Sequence, residues 1–374
     1  MRTYSDLEFM TESECYEIIT KFVTYPPFRA IQILQLLLSF VSMFFLVYVE
    51  LKYVLTFSFH RNTKIILSAL YLMGITDAIV NVVMQVTQLA LTTSGDPCES
   101  FPSKVFYTVI HLILTTLTVG MVMMLFVVMC ERGVATFCSQ KYETTGVMVG
   151  ISLTALGVGI TATIMLITYR TSDFDELTAS VLFIPTAAYS RTNRMFHIEV
   201  VFCVVCVVGM VVLIIVNTIK CSRFIEEKMS VHRTSAFLRG GLVLTSRYQL
   251  RENVATTKIT LYLTGIQTIL FLLYTACATM IRLHQELIFG DNVKAFTAAK
   301  LSFYLMPLFT LLLPVLTTTL IRRYRYRRTE QIRSIVSLES TGYAGTRNYD
   351  EVISKMWEKP RTSVSVAKTI CKAK

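Results

Sequence analysis

The sequence has few charged residues, few glycines and prolines, and few histidines. Only 16% of its 374 residues are charged, whereas a soluble domain carries roughly a quarter. Eight prolines and 15 glycines are too few for a fibrous or disordered chain. The five histidines are scattered, which argues against a membrane enzyme with clustered metal ligands or a nucleophile and its base. We therefore predict a chain that is not an enzyme and has no catalytic residue, metal site or cofactor.

Long apolar runs stand where the charges are missing. A bilayer core about 30 Å thick is crossed by about 20 apolar residues at a rise of about 1.5 Å each. Seven segments meet this length, so the predicted fold class is an all-α membrane protein, a bundle of seven transmembrane helices. The predicted spans are Ile31–Val49, Ile65–Leu91, Val105–Cys130, Thr145–Tyr169, Ile198–Ile219, Ile259–Met280 and Leu301–Ile321.

The basic residues are distributed unevenly around these spans. With the N-terminus outside, 26 of the 36 lysines and arginines fall in inside segments and nine in outside segments. This split follows the positive-inside rule, and the reverse orientation violates it. We predict an extracellular N-terminal segment (1–29), the seven-helix bundle (30–321) and a basic cytoplasmic tail (322–374).

The net charge of +11 has two interpretations, a nucleic-acid partner or a membrane surface. The basic run Arg322–Arg328 follows the last span directly, where it meets the anionic head groups of the inner leaflet. We therefore predict the lipid bilayer as a partner and no nucleic acid.

Nine cysteines are present, and only Cys15 and Cys98 lie in predicted extracellular segments. Disulfides form in that oxidising compartment. A bridge between the two ties the N-terminal segment over the bundle, and the alternative is two unpaired thiols.

Asp77 and Asn81 are polar residues inside the second predicted span, four positions apart on one helical stripe. An ionisable group inside the membrane is expensive and marks a candidate functional site. One interpretation is a hydrated, ion-binding polar core that rearranges during switching. The other is a cluster of hydrogen bonds between helices.

Four side chains in the predicted outer half of the bundle are candidates for a ligand pocket: His111, Thr115, Tyr274 and Tyr304. Cavities between helices are the expected place for a small-molecule site. Residues of these types also serve as interfacial or packing groups, and the sequence does not choose between the two roles.

An acid–arginine pair, Glu131-Arg132, ends the third predicted span on the inside. Such a pair can hold the inner ends of the helices together and open a cleft when released. Alternatively, Arg132 extends to the lipid head groups.

These residues belong to a longer pattern, Glu131-Arg132…Ala135-Thr136…Tyr142-Glu143. A second pattern, Ser246-Arg-Tyr-Gln-Leu-Arg-Glu-Asn253, precedes the sixth predicted span. Together they resemble the inner-loop motifs of the nematode Sra superfamily of serpentine chemoreceptors, most closely the class epsilon branch. The resemblance covers residues from about 30 to 325.

The resemblance implies a G-protein-coupled chemosensory receptor for an environmental small molecule, in the plasma membrane of sensory-neuron cilia. It implies a heterotrimeric G protein as partner, with Glu131, Arg132, Tyr142 and Glu143 in the switch region. Arg247 and Arg251, four positions apart on one helical face, are candidates for docking that protein.

Some features depart from rhodopsin-like receptors. The seventh span lacks an Asn-Pro-x-x-Tyr element, and the only tryptophan is Trp357, in the tail. A transporter of small solutes is the alternative function. It would normally show internal repeats and several intramembrane charges, which Asp77 alone does not provide.

Overall fold

The computed structural model describes most of the predicted bundle. Its described residues are 13, 15–16, 25–57, 59–91, 98, 100–138, 142, 146–176, 178, 180–231, 240–290, 292–335, 346 and 350. Within them, the side chains of residues 171–172, 221, 224–231, 240–252, 282–283, 285–286, 293 and 331–335 are not described.

Seven candidate membrane spans are present in the described residues, which confirms the predicted fold class. The main helices are α1 (Pro26–Val49), α2 (Arg61–Leu91), α3 (Lys104–Phe137), α4 (Met148–Thr168), α5 (Tyr189–Val231), α6 (Gly240–Leu283), α7 (Val293–Ser302) and α8 (Met306–Ile335). A π-helical turn, Glu50–Val54, prolongs α1, and a short helix, Gln285–Phe289, precedes α7.

The seventh span is built from two helices. The chain leaves the helix after Ser302 and resumes it at Met306, one residue before Pro307. Proline lacks the amide hydrogen that a preceding turn would bind, and it suits the first turn of a new helix. The interruption therefore leaves Tyr304 and Leu305 in non-helical backbone.

Helix α3 occupies the centre of the bundle. Two thirds (67%) of its most apolar window is buried, the largest share among the seven spans. It packs against α2, α4, α5 and α6, while α1, α2, α4, α5, α6 and α8 form a ring of neighbours around it.

The first helix shows the inside-out pattern expected in lipid. Its buried face carries Gln32, Gln35, Ser39 and Ser42, whereas its exposed face carries residues such as Leu37 and Phe44. A surface helix of a soluble protein has the opposite arrangement. Since lipid cannot satisfy polar groups, these side chains turn toward neighbouring helices.

Glycines allow α4 to approach α2 and α3 closely. A β-carbon at Gly150 would lie 2.8 Å from the Asn62 Cα, and one at Gly157 would lie 2.8 Å from Val127 Cγ2. Small residues at such contacts are typical of membrane helices. In addition, the Gly150 amide donates a 3.1 Å hydrogen bond to Asn62 Oδ1.

Candidate functional site

A cavity of about 760 Å³ lies between α3, α5, α6 and α8, and we call it the main cavity. This volume includes space that is open to solvent, and a cavity between helices is the usual place for a small-molecule site. All four candidate ligand residues, His111, Thr115, Tyr274 and Tyr304, lie on its wall. The other lining residues are Leu114, Thr118, Val122, Tyr169, Leu182, Ile184, Phe196, Gln267, Leu270, Phe271, Leu305, Met306 and Phe309.

His111 lies on this wall, but its ring nitrogens are both occupied. Nδ1 lies 2.9 Å from the Val181 carbonyl oxygen, and Nε2 lies 3.1 Å from the Tyr169 hydroxyl. A carbonyl only accepts, so Nδ1 carries the proton and Nε2 accepts from Tyr169. His111 therefore positions the chain between α4 and α5, the α4–α5 loop (residues 169–185).

Tyr169 links this histidine to α5. Its hydroxyl accepts a 3.5 Å hydrogen bond from Thr192 Oγ1 while it donates to His111. The Tyr169 hydroxyl therefore connects His111 on α3 to Thr192 on α5.

The α4–α5 loop covers the main cavity and is held at several points. Leu182 and Ile184 from this loop line the cavity. The Tyr107 hydroxyl donates a 2.9 Å hydrogen bond to the Phe183 carbonyl, while Phe174 packs its ring against His111 at a centroid distance of 5.8 Å. The α4–α5 loop therefore covers the main cavity and is held mainly by contacts with α3.

An ion pair fixes the beginning of the loop to α5. Arg191 Nη2 lies 2.5 Å from Asp173 Oδ2, and Arg191 Nε donates a 2.8 Å bond to the Thr168 carbonyl at the end of α4. The Asp173 side chain is only 5% exposed, which protects this pair from solvent better than a surface pair.

A second cavity of about 480 Å³ adjoins the main cavity. The two share Leu182, Ile184, Tyr274 and Tyr304, and the second cavity extends to Ala278 and Lys300. The Lys300 ammonium lies 4.5 Å from the centre of the Phe183 ring, a cation–π contact between α7 and the loop.

The polar core predicted at Asp77 and Asn81 lies beside the main cavity. Asn81 Nδ2 donates to Asp77 Oδ2 at 3.1 Å, and both residues are fully buried. Their neighbour Tyr304 also lines the cavity. Asp77 Oδ1 has no hydrogen-bond partner among the described residues, and ion binding here stays a prediction.

Gln85, one turn further along the stripe of Asp77 and Asn81, extends this polar zone to a glutamine of α1 that the sequence reasoning missed. Gln85 Nε2 donates to Gln35 Oε1 at 2.8 Å, and Gln35 Nε2 donates to the Leu301 carbonyl at 2.9 Å. These bonds connect α1, α2 and the end of α7. The polar spacing along α1 was the available sign of this contact.

Near the far end of α3, Glu131 and Arg132 form a buried ion pair. Arg132 is 1% exposed and its Nε lies 2.5 Å from Glu131 Oε2. Adjacent helical residues do not normally face each other, so the arginine curls back along its own helix. Arg132 therefore does not extend to the lipid head groups.

Two hydroxyl groups complete what we call the Glu131 network. Thr63 Oγ1, at the start of α2, donates to Glu131 Oε1 at 3.0 Å and accepts from Arg132. The Tyr142 hydroxyl also donates to Glu131, and the Tyr142 ring packs 4.3 Å from the His60 ring. Sequence reasoning selected Tyr142 and missed Thr63, whose partner is 68 residues away.

Helix α5 joins the same region through the last turn of α3. Asn217 Nδ2 donates a 3.0 Å bond to Thr136 Oγ1, and Lys220 donates a 2.7 Å bond to the Thr136 carbonyl. Thr136 Oγ1 in turn donates to the Arg132 carbonyl at 2.7 Å. The Glu131 network is therefore coupled to α2, α3 and α5.

The structure does not describe the side chains of three residues that were predicted for this face. Glu143 is outside the described residues, while Arg247 and Arg251 lie in α6 with side chains that are not described.

The two cysteines of the predicted extracellular segments, Cys15 and Cys98, form a disulfide that joins positions 83 residues apart.

Comparison with known proteins gives the family. The model of the serpentine type 7TM GPCR chemoreceptor Sra family matches residues 15–357. Serpentine receptor class beta-17 of Caenorhabditis elegans is 24% identical over 335 residues, covering 89% of this chain and 88% of the relative. Class beta-15 of the same organism is 22% identical over 353 residues, covering 93% of this chain and 99% of the relative.

These matches confirm the resemblance to the Sra superfamily and the prediction of a membrane receptor of the nematode chemoreceptor type. They do not confirm the class epsilon branch, since the relatives named above are of class beta. The chain belongs to the Sra family of serpentine seven-transmembrane chemoreceptors.

Proposed function

We propose that this chain is a chemosensory receptor that binds an environmental small molecule in the main cavity and activates a heterotrimeric G protein at the opposite face. The observation that carries the proposal is the arrangement along α3. His111 at the cavity and Glu131 in the buried network are 20 residues apart on one continuous helix. At about 1.5 Å per residue this is about 30 Å, the thickness of the bilayer core.

The orientation follows from the distribution of basic charge. The α4–α5 loop faces the exterior, and the basic end of α8 faces the cytoplasm, where Arg322 and its neighbours meet anionic lipid. Arg322 Nη2 bonds the Tyr53 hydroxyl at 2.8 Å and so ties this end of α8 to the end of α1. The proposed location is the plasma membrane of sensory-neuron cilia, with the N-terminus outside.

Ligand binding shifts an equilibrium between a closed and an open arrangement of the inner helix ends. In the closed state, the Glu131 network bonds α3 to Thr63 on α2 and to Tyr142. In the open state these bonds are released, and a cleft receives a helix of the G protein. Arg247 and Arg251, on one face of α6, contribute positive charge to that cleft.

The proposal is tested by filling the main cavity with a large side chain. Thr115 lines the cavity, whereas Val109 on the same helix is 47% exposed and faces lipid. Membranes carrying the receptor and a promiscuous G protein are screened with volatile and water-soluble odorants, and guanine-nucleotide exchange is measured. Thr115→Trp is expected to abolish exchange driven by any active compound, and Val109→Trp to preserve it. Equal responses in the two variants would refute the assignment of the cavity.

A further inference from the structure

The wall of the main cavity is apolar and carries little charge. Of its described side chains, none is an aspartate, glutamate, lysine or arginine. Its histidine has both ring nitrogens bonded, to Val181 and Tyr169. A charged ligand in the main cavity would therefore leave water without gaining an opposite charge on this wall. Lys300 lines the adjoining second cavity, where its ammonium group packs on the Phe183 ring.

Two polar side chains on the wall, Gln267 and Tyr304, have an atom with no hydrogen-bond partner among the described residues. Tyr304 lies beside the buried Asp77 and Asn81, so Gln267 is the candidate for contact with a ligand. Gln267 is 4% exposed, and its Oε1 has no hydrogen-bond partner among the described residues. It lies on the face of α6 that also presents Leu270, Phe271 and Tyr274 to the cavity. A buried amide without its partner is costly, so a ligand that bonds it gains that free energy.

We propose that the main cavity takes an uncharged, largely apolar molecule with one hydrogen-bonding group, and that Gln267 recognises that group. This inference rests on the proposed function, because it names the class of ligand for the same cavity. The unpartnered atom is an amide oxygen, which only accepts hydrogen bonds, so it pairs with an O–H or N–H of the ligand, as in an alcohol or an amide. The surrounding leucines and phenylalanines bind the hydrocarbon part of the ligand.

Glu199 provides the rival hypothesis of a cationic ligand. This glutamate lies one turn beyond Phe196 on α5, is 1% exposed and has no hydrogen-bond partner for either carboxylate oxygen among the described residues. It does not line the main cavity. A cation bound in the main cavity would therefore not contact this carboxylate, which disfavours this hypothesis.

The test uses four naphthalene probes that differ in one substituent: hydroxymethyl, ethyl, aminomethyl (protonated at neutral pH) and carboxylate. Binding to the full chain in lipid nanodiscs is measured by equilibrium dialysis, and empty nanodiscs correct for partition into lipid. The hydroxymethyl probe is expected to bind about tenfold more tightly than the ethyl probe, the effect of about one buried hydrogen bond. Both charged probes are expected to bind more weakly than the ethyl probe.

Variants assign the preference to one residue. Gln267→Leu is expected to reduce the affinity for the hydroxymethyl probe to that for the ethyl probe, while the ethyl affinity stays unchanged and reports a folded site. Gln32→Leu is the matched control, because Gln32 is buried on α1 and bonds Gln88 away from the cavity. It is expected to keep the tenfold preference.

Several results would overturn the inference. They are equal affinity for the hydroxymethyl and ethyl probes, a preference that survives in Gln267→Leu, or no binding above empty nanodiscs at millimolar concentration. Tightest binding of the aminomethyl probe, lost in Glu199→Gln, would establish the cationic class instead. Dialysis needs no G protein, so a receptor that binds the hydroxymethyl probe but activates no G protein would refute the proposed function and leave the ligand class standing.

Discussion

His111 on α3 donates a 2.9 Å hydrogen bond from its Nδ1 to the Val181 carbonyl in the α4–α5 loop. This bond joins the most buried helix to the segment that covers the main cavity. Together with the bond from Tyr169 to Nε2, it makes the histidine a fixed part of the wall. The position of the loop therefore depends on a side chain that also lines the main cavity.

Replacing His111 with phenylalanine tests this role of the histidine. The ring shape is kept, but the Val181 carbonyl and the Tyr169 hydroxyl lose their partner. We expect the free energy of unfolding to fall by about 1–3 kcal/mol and amide hydrogen exchange to accelerate in residues 180–185. His197→Phe is the control, because His197 is exposed and bonds only the Asn193 carbonyl of its own helix. Unchanged exchange in the His111 variant would contradict the assignment.

Removing the Tyr142 hydroxyl tests the Glu131 network. Tyr142→Phe keeps the ring contact with His60 and deletes the bond to Glu131. Since a hydrogen bond to a charged group contributes about 1.5–3 kcal/mol, we expect basal nucleotide exchange to rise about tenfold or more. Tyr326→Phe, at a 65% exposed tyrosine of α8, should leave it unchanged. The closed-state role of the network fails if both variants match the wild type.

Two glycines of α4 provide a matched pair for helix packing. A β-carbon at Gly157 would lie 2.8 Å from Val127 Cγ2, whereas one at Gly159 would meet no atom within 4 Å. We expect Gly157→Ala to lower the free energy of unfolding by about 1–3 kcal/mol through overpacking. Gly159→Ala should instead raise it by up to about 1 kcal/mol, because alanine favours the helix. Unfolding of both variants in detergent checks the order, and equal stability would contradict the packing.

The disulfide predicts a dependence on reducing agent. Cys15→Ser is expected to lower the free energy of unfolding by about 2–4 kcal/mol, because the bridge restrains a long loop in the unfolded chain. Reduction of the wild type should have the same effect. Cys138, which is free and exposed, supplies the control variant Cys138→Ser. Mass spectrometry that finds Cys15 and Cys98 both alkylated without reduction would contradict the bridge.

The spans could be predicted because lipid imposes a minimum length of apolar helix, and that length is visible in the sequence. The ends of the helices could not be predicted from the sequence. Helix α5 begins at Tyr189, nine residues before the predicted span, and α6 runs from Gly240. Hydropathy marks where a helix lies in hydrocarbon, whereas a helix continues into water as long as its backbone bonds continue.

The sequence predicted which residues line the candidate site better than it predicted what each of them does there. Sequence position placed His111, Thr115, Tyr274 and Tyr304 at similar depth, and all four line the main cavity. The use of both His111 nitrogens depends on where Val181 comes to lie, 70 residues later. No local pattern reveals such a contact.

The same reason explains why Gln267 and Thr63 were missed. A glutamine or threonine inside a membrane helix usually bonds a neighbouring helix, and the residue type does not identify its partner. Gln267 is a candidate because its Oε1 has no partner among the described residues. This can be recognised only when the positions of all neighbouring residues are known. By contrast, Glu131 and Arg132 were found because they are the first charged residues after the uncharged run 105–130.

In the proposed function, ligand binding in the main cavity activates a G protein through Glu131 and Arg132. Removing Arg132 alone would leave Glu131 buried without its counter-charge, so the double variant Glu131→Gln/Arg132→Met is paired with Arg132→Ala. For each variant, surface expression, binding of an active compound and compound-stimulated nucleotide exchange are measured in the same membranes. Normal expression, retained binding and raised basal exchange are expected, with no further stimulation by the compound. Full stimulation in both variants, or compound-driven current or solute uptake without any G protein, would contradict it.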